Sequence, residues 1–439
     1  MPGASRRQLV IGLLALCGVA PLRAQDTVSK GVRIGLRYDP GSKPGVLVLP
    51  ISGPTGDSIK AILERDFDYS DLLTTISLSP EDGSILAGTS SAGGAPVLNY
   101  AVFAKLGAAA IVQVTMTTRG LHVVMHDVAK GAVANVREFP LPKGDYSRDW
   151  RMAVHAVSDL AQEWITGERG ASQTRILFVR ANALYIIDSD GFGETPVPVI
   201  GPAMSSSWNP QGTMIAYNTY GPGSKIAILD LRTGKARDFG AQRNISNMTP
   251  VFTPDGKSIV YSISSEAGAD LYLLPLEGEA FPRKITVGRG SQNLAPSYSA
   301  DGRRLAFQSD RTGTPQIYIV DADGTNAELF TNFDFGDQND RASPDWSPDG
   351  RQIAFHSRID GRFQVFTMSL RDRQPRQLTS EGENEDPSWA PDGRHVVFAS
   401  TRTGVKQLWV LDVESARLRQ LTRVGGSGLP SWSPRLTAK

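Results

Sequence analysis

His122 and His126 lie four residues apart in an alternating apolar segment, so both imidazoles fall on one face of a strand and offer two nitrogens to a metal ion. A zinc site needs three or four ligands of this kind, and none stands nearby. The other three of the five histidines, His155, His356 and His395, are scattered, and the single cysteine is Cys17. A half-exposed sheet face is therefore expected at His122 and His126. Aspartates offer a second chemistry. Asp255, Asp301, Asp349 and Asp392 each precede a glycine, where turn geometry accounts for them. Asp188-Ser189-Asp190-Gly191 and Asp321-Ala322-Asp323-Gly324 open like calcium loops but lack the later ligands, including the closing glutamate. A Gly-x-Ser-x-Gly nucleophile elbow does not occur in the chain. These residues predict no catalytic group, no metal and no cofactor.

The turn aspartates belong to a larger phrase that repeats six times. It reads Ser207-Trp208-Asn209-Pro210, Pro250-Val251-Phe252-Thr253-Pro254-Asp255-Gly256, Pro296-Ser297-Tyr298-Ser299-Ala300-Asp301-Gly302, Pro344-Asp345-Trp346-Ser347-Pro348-Asp349-Gly350, Pro387-Ser388-Trp389-Ala390-Pro391-Asp392-Gly393 and Pro430-Ser431-Trp432-Ser433-Pro434. Its aromatics recur every 43 to 48 residues, a period of sheet-bladed propellers rather than helical solenoids. Pro348 presets φ in the turn and Gly350 accepts a positive φ. An apolar strand follows, as in Ile353-Ala354-Phe355, then a second such as Gln316-Ile317-Tyr318-Ile319-Val320. Runs apolar on both faces suit a sheet covered on both sides. Small residues at Ala216, Ala306 and Ala354 predict close approach of neighbouring blades.

Residues 175–200 supply second, third and fourth strands without a first, whereas Pro430-Ser431-Trp432-Ser433 is a first strand without successors. Pairing the two completes a sixth blade and removes the open edges. The expected fold has two domains: an N-terminal α/β domain at 25–168, then an all-β six-bladed β-propeller at 173–439 closed by N- and C-terminal strands. In the first domain, 46–49, 110–114, 121–128 and 133–139 read as strands, and 58–67 and 96–106 as helices. Trp150, Val154, Val157, Ala161 and Trp164 form one helical stripe.

Residues 1–24 carry Arg6 and Arg7, an apolar stretch from 9 to 20 too short to span a bilayer, and Ala24 before a cleavage point, the pattern of an export signal. Its removal deletes three arginines and no acid, so the +1 of the full chain becomes −2. That balance excludes a nucleic-acid footprint, and no other apolar run has membrane length.

The segments ahead of each proline-aromatic pair must gather at one mouth of the channel. Ser246-Asn247-Met248-Thr249, Ser291-Gln292-Asn293-Leu294, Asp337-Gln338-Asn339-Asp340-Arg341 and Glu383-Asn384-Glu385-Asp386 are polar and varied, a ring suited to a protein or peptide. The competing class is an enzyme, a hydrolase or lyase, taking carbohydrate or peptide into the channel.

An export signal, a small α/β domain and a six-fold Pro-x-Trp-Ser-Pro-Asp-Gly propeller together resemble the TolB family of the Tol-Pal envelope system, over essentially the whole mature chain. The resemblance implies a non-enzymatic periplasmic adaptor that supports outer-membrane integrity and constriction at division. It would bind the peptidoglycan-associated lipoprotein Pal through the propeller mouth and TolA through the N-terminal segment, with other Tol-Pal and outer-membrane proteins as further partners. At matching positions the Pal contact falls on Asn247, Met248, Thr249, Asn293, Leu294 and Ala295. The TolA contact falls on Val32, Arg33, Ile34, Tyr38 and Asp39, an extended segment able to add as a strand to a partner's sheet.

Overall fold

The computed structural model describes residues 43–78, 98–143, 146–199, 201–219, 224–239, 245–278, 281–288, 290–331 and 339–437. The export signal at 1–24, the segment with Val32, Arg33, Ile34, Tyr38 and Asp39, and Asp337 and Gln338 lie outside them.

The first unit is a five-stranded sheet with three helices. In chain order it comprises β1 (Gly45–Val48), α1 (Gly56–Tyr69), β2 (Thr74–Thr75), α2 (Tyr100–Lys105), β3 (Ala108–Thr117), β4 (Gly120–Asp127), β5 (Ala132–Pro140) and α3 (Arg148–Thr166). Strand order is β2-β1-β3-β4-β5, with β1 parallel to both neighbours and the remaining pairs antiparallel. The run Val46-Leu47-Val48 is apolar at every position because both faces are covered. Val46 and Val48 join α1 and α3 in one core, whereas Leu47 packs with Phe103 of α2. The predicted stripe of α3 faces that first core with Trp150, Val154, Val157 and Ala161 buried. Its ends carry ordinary stop signals: the Ser147 hydroxyl accepts from the Trp150 N–H at 3.2 Å, and Gly167 caps the C-terminus at φ 81°.

Six four-stranded antiparallel sheets follow, the blades of a propeller. Blades one to five start with inner strands Ala203–Trp208, Ser246–Phe252, Asn293–Tyr298, Arg341–Trp346 and Asn384–Trp389. Blade six is built from both ends of the chain. The strand Ser427–Trp432 pairs with β6 (Arg175–Arg180), which continues into β7 (Ala183–Asp188) and β8 (Thr195–Pro196). The pairs Trp432↔Ile176, Ser431↔Leu177 and Ser427↔Arg180 set the expected closure.

Stacking is directional: each aromatic rests on the blade before it. Phe252 shares a buried cluster with Ala216, Trp346 with Ala306 and Trp389 with Ala354, so a methyl side chain is what makes room for a ring. The turn after each aromatic is tied by its aspartate. Asp349 Oδ1 accepts from Ser347 Oγ at 2.5 Å and from the Arg351 N–H at 3.0 Å, while Gly350 takes φ 73°. Asp255 and Asp301 do the same, and the hydroxyls of Thr253 and Ser299 hold their carboxyls below the usual range. Antiparallel order puts the turns after first and third strands at one face of the ring, and those after second and fourth strands at the other. Among the described residues no helix is long and apolar enough to cross a membrane.

Trp432 is the one aromatic of the repeat whose strand is joined to its blade by no covalent hairpin. Trp432→Ala is expected to lower the unfolding free energy by roughly 3–5 kcal/mol in a urea titration. Removing residues 427–439 should leave β6 as an open edge and produce aggregation visible by light scattering.

Candidate functional site

The inner strands enclose a funnel of about 460 Å³ running down the ring axis. Its wall repeats a backbone feature that no single residue announces. Three positions before the aromatic, Thr249, Ala295, Ser343, Asp386 and Leu429 adopt φ between 47° and 54°, and each is followed by a proline. The inner-strand register slips at the same place in each of these blades, between Met248 and Val251, Leu294 and Ser297, Ala342 and Asp345, Glu385 and Ser388, and Gly428 and Ser431. A bulge of this kind leaves a residue out of the ladder and re-aims it, here along the channel wall. Positive φ is uncommon outside glycine and a true outlier for β-branched threonine. It persists where the surroundings over-determine it.

Hydrogen bonds from blade to blade supply that constraint. The Thr249 N–H donates to Ser205 Oγ at 3.2 Å, and the Ala295 N–H donates to Thr249 Oγ1 at 3.2 Å. Ser343 Oγ donates to Asp386 Oδ1 at 2.9 Å, and the Asp386 N–H donates to His356 Nδ1 at 3.0 Å. Burial holds His356 below its ordinary value, which keeps that nitrogen an acceptor. A second ring sits one position before the aromatic. The Trp346 N–H donates to Ser297 Oγ at 3.0 Å, the Trp389 N–H to Asp345 Oδ2 at 2.7 Å, and the Trp432 N–H to Ser388 Oγ at 3.1 Å. Burial pushes the Asp345 carboxyl up to about 6 against these donors. Blade one differs: Ser205 is followed by Ser206 instead of proline.

The six propeller residues predicted for the mouth separate into two groups. Thr249 and Ala295 line the funnel, and Met248 and Leu294 are half-buried beside them on the same strands. Asn247 and Asn293 are 1% and 0% exposed and act as clasps. Asn247 Nδ2 donates to the Ser224 carbonyl at 2.8 Å. Asn293 Nδ2 donates to the Ala269 carbonyl at 2.9 Å, while its Oδ1 accepts from Arg311 Nη2 at 2.9 Å. Asn384 repeats the arrangement with Gln364 and Arg402. Arg311 and Arg402 lie over the Tyr318 and Trp409 rings at 4.5 and 4.9 Å, so the clasp is stacked as well as bonded. Wall residues Ser205 and Ser343 escaped the sequence reading. The repeated residue-proline pair was the visible signal for Ser343, whereas Ser205, followed by Ser206, carried none.

Charge concentrates at the opposite face, where the α/β unit meets blades five and six. The carboxylates of the Asp188-x-Asp190 turn receive arginines: Arg175 Nε donates to Asp188 at 3.0 Å, and Arg151 Nη2 and Arg65 pair with Asp190. His155 stands between two carboxylates, with Nδ1 2.7 Å from Asp66 and Nε2 3.8 Å from Asp190. Burial alone would lower it, but the Asp66 carboxylate prevails and raises it. His395 is placed similarly, with Nδ1 2.6 Å from Asp392 and Nε2 3.4 Å from Asp71. Burial opposes the charge here too, yet Asp392 pushes His395 up to about 9, and His395 in turn draws Asp392 down to about 2. In both groups the two ring nitrogens face different carboxylates, and one carboxylate of each group, Asp190 or Asp71, also pairs with arginine. The geometry is that of buried salt-bridge relays. His122 and His126 take separate partners, Glu138 at 2.6 Å and Tyr100 at 2.9 Å.

The raised His395 stabilises the fold fully below about 6.5 and loses that contribution as pH rises through 9, whereas the depressed Asp392 loses its contribution as pH falls through 2. His395→Gln should therefore flatten the alkaline fall in stability between pH 6.5 and 9.5. The difference is on the order of 3 kcal/mol in denaturant titrations, and coincident pH profiles would contradict it.

A profile of the TolB beta propeller domain matches residues 162–436. The Tol-Pal system protein TolB of Bordetella pertussis is 30% identical over 185 residues, 41% of this chain and 42% of that protein. The Bordetella bronchiseptica protein of the same name gives the same figures. The chain thus spans less than half the length of these curated relatives in the matched region. The crystal structure of TolB from Acinetobacter baumannii is similar over 90% of this chain and 97% of its own, with TM-score 0.75 and 24% identity, a likeness of fold.

Proposed function

The chain belongs to the TolB beta-propeller family, and from that premise we propose that it is a non-enzymatic periplasmic adaptor of the Tol-Pal system. Its propeller mouth binds Pal, and its N-terminal segment binds TolA, in support of outer-membrane integrity and envelope constriction. The observation that carries this reading is the repeated left-handed bulge before proline in five inner strands. Proline, cross-blade hydrogen bonds and packed aromatics hold that wall in one conformation, so a protein segment seated at the mouth orders little of it on binding. The acids an enzyme would need there are already committed. Asp345 accepts from the Trp389 N–H and from Ser297, and Asp386 accepts from Ser343.

Thr249, Ala295, Met248 and Leu294 are the contact residues on this reading, with Asn247 and Asn293 positioning their strands from behind. For TolA, Val32, Arg33, Ile34, Tyr38 and Asp39 would pair as an added strand, where backbone hydrogen bonds supply affinity and alternate side chains supply specificity.

Ala295→Trp blocks the mouth without touching a clasp. It should weaken capture of Pal at least tenfold while the thermal midpoint stays within about 1 °C, roughly 1 kcal/mol for a chain of this size. Asn293→Ala removes the acceptor of Arg311 Nη2 and the donor to the Ala269 carbonyl, and should cost roughly 1–3 kcal/mol of stability. Wild-type Pal capture by Ala295→Trp would reject the mouth as the interface. Deleting residues 25–39 should abolish TolA binding in a pulldown and spare Pal binding, and retained TolA binding would reject the N-terminal assignment.

A further inference from the structure

The α/β unit is joined to the ring in an unusual place. Its contacts fall on blades five and six, and blade six is the one closed without a covalent hairpin between its first two strands. Contacts across the joint are polar. Arg417 reaches the Asp68 carboxylate at 2.7 Å and its carbonyl at 2.9 Å, and Arg151 reaches Asp190 at 2.5 Å. Among the described residues, the apolar clusters of the sheet unit contain no propeller side chain. Joints of this composition permit relative motion more readily than apolar ones.

One carboxylate links the unit to the seam. Asp159 of α3, 0% exposed, accepts from the Ser172 N–H at 2.7 Å through Oδ1 and from the Gln173 N–H at 3.0 Å through Oδ2. The connector it grips holds the C-terminal segment in turn. Trp432 Nε1 donates to Thr174 Oγ1 at 2.8 Å, the Leu436 N–H donates to the Gln173 carbonyl at 2.9 Å, and Arg435 Nε donates to the Gly170 carbonyl at 2.7 Å. Gly170 is needed for this approach, because a Cβ there would lie 2.4 Å from Asp159 Oδ1.

We propose that the docked α/β unit is a clasp on ring closure: α3, through Asp159 and the connector 170–174, keeps the C-terminal strand seated in blade six. Displacing that unit loosens the propeller at this seam before any other blade. A partner that shifts the unit thereby biases a local opening equilibrium in the ring, a coupling that requires no change in the other five blades.

The test is amide hydrogen exchange on the full chain, comparing Ser427–Trp432 with the inner strand Asn293–Tyr298 as an internal reference. Asp159→Asn replaces an acceptor by an amide facing the Gln173 N–H. Arg417→Asp breaks the joint from the partly exposed propeller side. Both should speed exchange in Ser427–Trp432 at least tenfold and leave the reference strand unchanged, and adding Asp68→Arg to Arg417→Asp should restore protection. Unchanged protection of Ser427–Trp432 in either folded variant overturns the proposal. So does an equal loss in both strands, which is ordinary global destabilisation. Should Asp159→Asn fail to fold, the Arg417→Asp and swapped pair decides alone.

Discussion

Pairing of Ser427–Trp432 with β6 is the contact on which closure of the ring depends, because the stack is circular. Each aromatic rests on the second strand of the blade before it: Phe252 on the Ala216 side, Trp346 on Ala306, Trp389 on Ala354. Trp208 packs with Leu177 of blade six in the same way, and its indole N–H reaches the Ser431 carbonyl at 3.1 Å. An open chain of blades would leave the first and last interfaces unmade and expose two sheet edges. Closure supplies both interfaces at once, through main-chain pairs between residues some 250 positions apart. Contacts of such long range must wait until most of the chain is ordered.

Two kinds of interface coexist in the molecule, and their division is sharp. Blade meets blade through aliphatic and aromatic side chains that are almost wholly buried, with hydrogen bonds added along the channel. The α/β unit meets the ring through arginine, histidine and aspartate. The first kind resists deformation because close packing tolerates little displacement. In the second, each ion pair trades desolvation against attraction, so its net contribution is modest and sensitive to the charge of its neighbours. Rigidity is thus placed around the funnel and adjustability at the joint.

The architecture was legible in the sequence because its determinants are local and repeated: an aromatic, a proline-led turn, an alanine at fixed offset. Six copies average out any one irregularity, and the missing strand at each end pointed to its counterpart. The α3 stripe was legible for a related reason, since a 3.6-residue period is visible in a single stretch. The site was only half legible. Asn247 and Asn293 look like rim residues by composition, and nothing nearby in sequence reveals that Ser224, Asp270 and Arg311 fold over them. The left-handed φ of Thr249 and Ala295 runs against the preference of a residue preceding proline for extended backbone, so local rules point the other way. The relays around His155 and His395 join residues from separate elements, Asp66 with Asp190 and Asp71 with Asp392, which no spacing rule connects.

Blade one departs from its siblings, with Ser205-Ser206-Ser207 where the others carry a residue and proline before the aromatic. The hydroxyls of Ser206 and Ser207 are enclosed and lack a hydrogen-bond partner among the described residues, and both belong to the funnel wall. A perfect hexagon would present six interchangeable orientations to anything approaching along its axis. One dissimilar side abolishes that degeneracy and gives the annulus a unique azimuth, as a keyway does for a shaft.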